Sequence, residues 1–123
     1  MDLTLRQQSQ LPRIAHGRSP EQAAPRTYWL RGDGAETLVT SSGAGCFAQD
    51  NLAVTRWAGD PTCDADGIFI YLRDLHDGRF WSAGFQPTAM EPDSYDVQFR
   101  AGLAIFRRVD AGIQVQLEVC VCR

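Results

Sequence analysis

Between Asn51 and Thr88 the chain sets four aromatic residues, Trp57, Tyr71, Trp81 and Phe85, beside Arg56, Arg73 and Asp74. These side-chain types suit one chemistry. An indole or phenol ring offers a flat apolar face to the C–H face of a pyranose ring, while a guanidinium or carboxylate next to it holds the hydroxyls. Arg73 and Asp74 follow Tyr71, and Ser82 follows Trp81, so those two rings carry polar neighbours. The same residues have a plainer reading. Aromatics in a small sandwich bury most of their area, so each of the four can equally be core or inter-sheet packing. Arg56, Arg73 and Asp74 can equally be strand-end ion pairs. Exposure of Trp57 and Trp81 decides between the two: indoles lining a groove with Arg56 or Arg73 support binding, and buried indoles remove the platform.

Other chemistry finds little support. Asp60, Asp64 and Asp66 precede Gly67 in the manner of a calcium loop, but an EF-hand register would start at Thr62 and put Arg73 where the bidentate Glu belongs. The segment reads instead as Asx turns. Cys120 and Cys122 share a strand face and could join Cys46 or Cys63 and His76 around zinc, yet structural zinc sites use turn-spaced pairs such as CxxC. With 15 Asp and Glu residues, no particular carboxylate pair stands out for glycoside hydrolysis. His16 and His76 lie beside no nucleophile motif, and neither GxSxG nor a phosphate-binding glycine loop occurs. No catalytic residue, metal or cofactor is expected.

The elements that would position these residues are strands. Thr27 to Leu30 and Thr37 to Thr40 form a hairpin about RGDGAE, followed by a flexible SSGAG loop at residues 41–45. Leu52 to Trp57 and Ile68 to Arg73 flank the loop AGDPTCDADG. Asp77-Gly78 supplies a two-residue turn of the primed type into Arg79 to Ala83. Tyr95, Val97 and Phe99 then alternate with Ser94, Asp96, Gln98 and Arg100, the pattern of a strand with one dry and one wet face. A partner begins at Leu103, and a turn at Asp110-Ala111-Gly112 leads to a strand whose Ile113, Val115, Leu117, Val119 and Val121 line one face. Helical periodicity is absent. The sum is about eight antiparallel strands in an all-β sandwich over residues 27–123, preceded by a mobile arm, residues 1–26, rich in Gln, Ser, Pro, Ala and Arg.

Composition bounds the rest. A chain of 123 residues with 44% hydrophobic and 22% charged residues is one globular domain. A net charge of -3 argues against nucleic acid or an anionic membrane, because both call for a basic patch. All 12 basic residues are Arg, read as the codon bias of a GC-rich genome. No apolar run approaches the roughly 20 residues that span a bilayer, and the amino terminus lacks the apolar core of a secretion signal. The expected address is the cytoplasm, with the cysteines reduced.

The order LAVTRW, YLRD, DG, FWS, QPT, SY and F, running from Leu52 to Phe99, resembles the amino-terminal β-sandwich module preceding the helical barrel of glycoside hydrolase family 94, formerly glycosyltransferase family 36. It is similar to the version in bacterial cyclic β-1,2-glucan synthases, from near Thr37 to Cys120. The resemblance implies the first part of a larger supersandwich, with catalysis housed in a barrel outside these residues. It also implies dimerisation, since family 94 phosphorylases commonly dimerise through these modules. A last strand still running at Arg123 would leave an unpaired edge, a second route to a homodimer. One loop departs from the family: where the synthase-like modules carry Gly-Tyr-Ser-Arg-Trp, this chain has Gly45-Cys46-Phe47-Ala48-Gln49. That change favours a stand-alone or degenerate module. The expectation is a non-catalytic module holding a β-glucan oligosaccharide through Trp57, Tyr71, Arg73, Asp74, Trp81, Phe85 and Arg56. Three alternatives stay open: a ligand-free oligomerising sandwich, the relic of a larger glucan synthase, and a small glycan-active enzyme.

Overall fold

The computed structural model describes residues 26–59 and 64–122. Among them nine strands form three antiparallel sheets and there is no helix, so the fold is the all-β sandwich that the alternating pattern implies. The first sheet runs in sequential order through β1 (Thr27–Arg31), β2 (Ala35–Thr40), β3 (Gly45–Gln49) and β4 (Leu52–Ala53). A short hairpin pairs β5 (Tyr71–Arg73) with β6 (Phe80–Ser82), and a third sheet runs β7 (Ser94–Arg100), β8 (Leu103–Asp110), β9 (Ile113–Cys120). The expected arm lies outside the described residues up to Arg26. That residue already joins the sheet, its carbonyl accepting the Ser41 N–H at 2.7 Å.

Register explains the core. Side chains directly opposite in antiparallel strands share a face, so the inner face of the third sheet reads as three rows: Tyr95, Arg108, Val115; Val97, Phe106, Leu117; Phe99, Ala104, Val119. Across from it β1 and β2 present Tyr28, Leu30 and Val39. Tyr28 stacks on Phe99 at 5.2 Å between centroids, and Phe85 completes the cluster. The turn expected at Asp110-Ala111-Gly112 is present, and Ala101-Gly102 makes the turn before the strand expected from Leu103. Ala111 and Gly112 both have positive φ, at 48° and 82°, the geometry that a type I′ turn demands.

Several expectations change. Residues 45–49, read only as the loop that departs from the family, form β3 against β2. Gly, Ala and Gln there carry little strand preference; pairing to β2 imposes the conformation, and a Cβ at Gly45 would collide with the Leu38 carbonyl. The strand expected over Leu52 to Trp57 stops after two residues. Val54 and Thr55 both donate their N–H to the Phe47 carbonyl, while Thr55 Oγ1 accepts the Phe47 N–H at 2.8 Å, so a side chain replaces the ladder. Ile68 and Ile70 lie outside β5 and are exposed. The hairpin loop is wider than two residues: the Asp74 N–H bonds the Arg79 carbonyl, and the carboxylates of Asp74 and Asp77 accept the N–H groups of His76 and Arg79.

The SSGAG loop is also firmly held rather than flexible. Ser41 and Ser42 are buried, the Ser42 carbonyl accepts the N–H groups of Phe85 and Gln86, and Gly43 lies against Gly84 so closely that a Cβ on either would touch the other's Cα. Tyr95 ties these segments together: its hydroxyl donates to the Ser41 carbonyl at 3.0 Å and accepts the Phe85 N–H at 3.2 Å. Burial pushes the ionisation of that hydroxyl well above the ordinary tyrosine range, because a buried phenolate would lose its hydration.

The folded state thus holds the Tyr95 proton more tightly than the unfolded chain, so its contribution is complete below the unfolded value of about 10 and is lost as pH rises beyond it. Tyr95→Phe is expected to cost about 1–3 kcal/mol at neutral pH, by taking the donor from the buried Ser41 carbonyl, and to flatten the decline in stability above about pH 10. Urea unfolding of both proteins at neutral and alkaline pH measures this.

Candidate functional site

The β5–β6 hairpin divides the expected site residues between two environments. Cross-strand pairs Tyr71↔Ser82 and Arg73↔Phe80 put Tyr71, Ser82, Arg73 and Phe80 on one face, and the pair Leu72↔Trp81 occupies the other. The first face is closed at its Ser82 end, where that residue is buried, and wet at its rings: Tyr71 is 54% and Phe80 56% exposed. Two rings thereby sit on the diagonal of a two-stranded ribbon, separated by roughly 7–8 Å at the backbone, with a guanidinium beside them. Arg73 makes no hydrogen bond or ion pair among the described residues. Phe80 was not among the candidates read from the sequence. The signal was there, since strict alternation through FWS sends Phe80 outward once Trp81 points in.

The other face is dry. Trp81 is 5% and Phe85 2% exposed, both packed inside, where neither can offer a ring face to a bulky ligand. Ser82, opposite Tyr71 on the first face but buried, bonds through its hydroxyl to the carbonyls of Gly84 and Phe85 and to Thr88 Oγ1. Beneath this segment lies Arg108, fully buried on β8. Its guanidinium donates to the carbonyls of Ser82 at 2.9 Å, Gly84 at 2.6 Å and Met90 at 3.2 Å, and forks onto both oxygens of Asp110 at 2.7 and 2.6 Å. One buried polar atom among the described residues is left without a partner, the Nε1 of Trp81.

The remaining candidates stand apart. Trp57 is 37% exposed and Arg56 is exposed, both in the segment after β4, and no hydrogen bond or ion pair among the described residues ties either to the hairpin. Asp74 accepts the His76 N–H and lies 4.0 Å from Arg79. Arg79 bonds more closely to Asp77, whose carboxyl is held below its ordinary range chiefly by the Arg79 backbone N–H. A further exposed indole, Trp29 on β1, is covered by its own neighbour, the Arg31 guanidinium standing 5.3 Å from the ring centroid. Asp64 and Asp66 do not close Asx turns. Asp64 accepts from the hydroxyls of Thr40 and Ser42, and Asp66 accepts the Ala58 N–H, which fastens the loop after β4 to the sandwich. Of the zinc candidates, Cys63 lies outside the described residues; Cys46, Cys120 and Cys122 are free thiols, and His76 sits in the β5–β6 hairpin loop with its N–H on Asp74.

Comparison with known proteins gives a consistent picture. Residues 11–123 match the family model described as glycosyl hydrolase 94, supersandwich domain. The chain is 32% identical over 84 residues to the cyclic beta-(1,2)-glucan synthase NdvB of Rhizobium meliloti (strain 1021), an alignment covering 68% of this chain and 3% of that protein. It is 35% identical over 91 residues to the N,N'-diacetylchitobiose phosphorylase of Vibrio proteolyticus, and 32% identical over 88 residues to that of Vibrio furnissii; each covers 69% of this chain and 11% of the relative. The chain thus spans only a small part of these relatives.

The partition of the hairpin is measurable. Trp81→Ala is expected to cost about 3–5 kcal/mol in urea unfolding, as for a buried large aromatic. Tyr71→Ala is expected to stay within about 0.5 kcal/mol of the parent, as for an exposed side chain with no partner.

Proposed function

The chain belongs to the glycosyl hydrolase 94 family through its supersandwich domain, and from that premise we propose that it is a non-catalytic module that binds β-glucan chains. The observation that carries this reading is the wet face of β5–β6, where the rings of Tyr71 and Phe80 flank Arg73. Rings on this diagonal can lie under the C–H faces of sugar units, and a guanidinium without an internal partner has its five donors available for hydroxyls. Trp57 and Arg56, also exposed, extend the polar-aromatic surface, with Asp74 at the end of β5 as an acceptor. Trp81 and Phe85 take a supporting part, fixing the hairpin from inside. Binding without cleavage is supported by the matched region, which is the supersandwich domain. The glucan assignment draws on the printed name of the synthase relative; the phosphorylase relatives, named for N,N'-diacetylchitobiose, make that disaccharide a necessary comparison ligand.

A structural role in oligomerisation has its own observation. The apolar side of β9 is only half covered, and a cleft of about 340 Å³ opens between β2–β3 and β8–β9, lined by Val39, Phe47, Ile70, Phe106, Leu117 and Val119. A second copy pairing along β9 would cover it. As for location, no helix among the described residues is long and apolar enough to cross a membrane, and a cytoplasmic site of action is part of this proposal.

Calorimetric titration with linear β-1,2-glucan, diacetylchitobiose and an α-glucan tests the reading. Saturable binding of the β-glucan, weakened about tenfold by Tyr71→Ala or Phe80→Ala if each ring contributes ~1.4 kcal/mol, is the expected result. No heat with any sugar, from a protein that sediments as a dimer, would transfer the assignment to the structural role.

A further inference from the structure

Resting on that reading, we infer that Arg73 selects the linkage of the bound glucan by gripping two hydroxyls on neighbouring carbons of one glucose unit. The chains that bind are then those whose interior units carry such a pair. A β-1,2-linked interior unit keeps its hydroxyls at C3, C4 and C6, and a β-1,4-linked unit at C2, C3 and C6, each with one adjacent pair. A β-1,3-linked unit keeps C2, C4 and C6, with none.

The state of Arg73 carries this inference. Its side chain is exposed on β5, and its guanidinium has no hydrogen bond, ion pair or ring contact among the described residues. The other charges of the hairpin turn to one another: Asp74 accepts the His76 N–H, and Asp77 takes both the backbone N–H and the guanidinium of Arg79. A guanidinium is planar and holds its N–H donors in a rigid fork that pairs with two acceptors side by side, whereas a lone hydroxyl engages one prong. Two equatorial hydroxyls on adjacent carbons of a glucose ring stand side by side in that way. A carboxylate also fits the fork. An anion, however, would meet no second free guanidinium in the hairpin, because Asp77 holds Arg79, and the chain carries a net charge of -3.

The neighbouring rings set how the pair is presented. Phe80 stands directly across from Arg73, with Cβ atoms roughly 5 Å apart, and Tyr71 lies two residues back along β5, about 7 Å away. The two rings do not touch each other, so a sugar unit rests its C–H face on one of them at a time. Equatorial hydroxyls project from the rim of that unit, along the face of the hairpin and towards the guanidinium. The frame is fixed beforehand: the Asp74 N–H bonds the Arg79 carbonyl and the Ala83 N–H bonds the Ile70 carbonyl, both at 2.8 Å, which brackets the paired residues at each end. A backbone so ordered before binding loses little entropy when a ligand arrives.

The test is calorimetric titration with linear β-1,2-, β-1,4- and β-1,3-linked gluco-oligosaccharides, long enough for interior units to dominate. The parent is compared with Arg73→Lys, which keeps the charge and loses the fork. The parent is expected to bind the β-1,3-linked chain about tenfold more weakly than the β-1,2-linked one, the scale of one lost hydrogen bond to a charged group. Arg73→Lys is expected to weaken both pair-bearing chains about tenfold while the β-1,3 affinity stays within about twofold. Its urea midpoint should match the parent's, since Arg73 has no internal partner to lose. Equal parent affinity for the β-1,2 and β-1,3 chains, an equal loss on all three chains in Arg73→Lys, or no loss on any of them overturns the linkage inference. Binding that still weakens with Tyr71→Ala would then leave the exposed-face reading in place. If Arg73→Lys acts as expected while Tyr71→Ala and Phe80→Ala change nothing, the role of Arg73 stands and the ring platform falls. No binding of any sugar removes both.

Discussion

A guanidinium buried in the middle of the third sheet is the constraint on which the rest of this molecule depends. Taking Arg108 out of water costs several kcal/mol, and only complete hydrogen bonding with a countercharge can offset that. The protein supplies both: Asp110 takes a bidentate fork and three backbone carbonyls take the remaining bonds. Those carbonyls belong to Ser82, Gly84 and Met90, so the requirement of one side chain dictates the path of the chain from β6 towards β7. Tyr95, opposite Arg108 in the same row, does related work on the other side by joining Ser41 to Phe85.

This clasp gives the β5–β6 hairpin its two characters. A two-stranded ribbon is marginal in isolation; here one end is nailed to the third sheet through Ser82 and Gly84. With Trp81 driven inward by that attachment, the alternation of the strands forces Phe80 and, across from it, Arg73 outward. The exposed rings are thus a consequence of that anchoring. Membership in the glycosyl hydrolase 94 family connects this geometry to carbohydrate chemistry.

Much of the architecture was legible because it is local. The period-two alternation of β7 and β9, with glycine turns between them and β8, follows from side-chain pattern and turn chemistry alone. β3 was illegible because its conformation comes from its neighbour: Gly45, Ala48 and Gln49 state no strand preference, and β2 imposes one. The Asp64 and Asp66 side chains bond groups far away in sequence, so local turn rules misread them. For Arg107 and Arg108 the pattern was silent, since β8 is apolar on both faces at Ala104, Ile105 and Phe106 and alternation could not say which guanidinium enters the core. The split among the aromatics had the same origin. Residue type showed that Trp57, Tyr71, Trp81 and Phe85 could meet a sugar, while facing is a property of the assembled sheets.

The direct measurement is equilibrium urea unfolding of Arg108→Met, which keeps an apolar side chain of similar length and removes the charge and every donor. If Arg108 holds the sandwich together, the substitution leaves Asp110 charged and unpaired and takes the guanidinium from the carbonyls of Ser82, Gly84 and Met90, and stability falls by about 3–5 kcal/mol. A loss below about 1 kcal/mol, the value of an ordinary surface ion pair, would contradict the account, because the chain between β6 and β7 would then be held by something else.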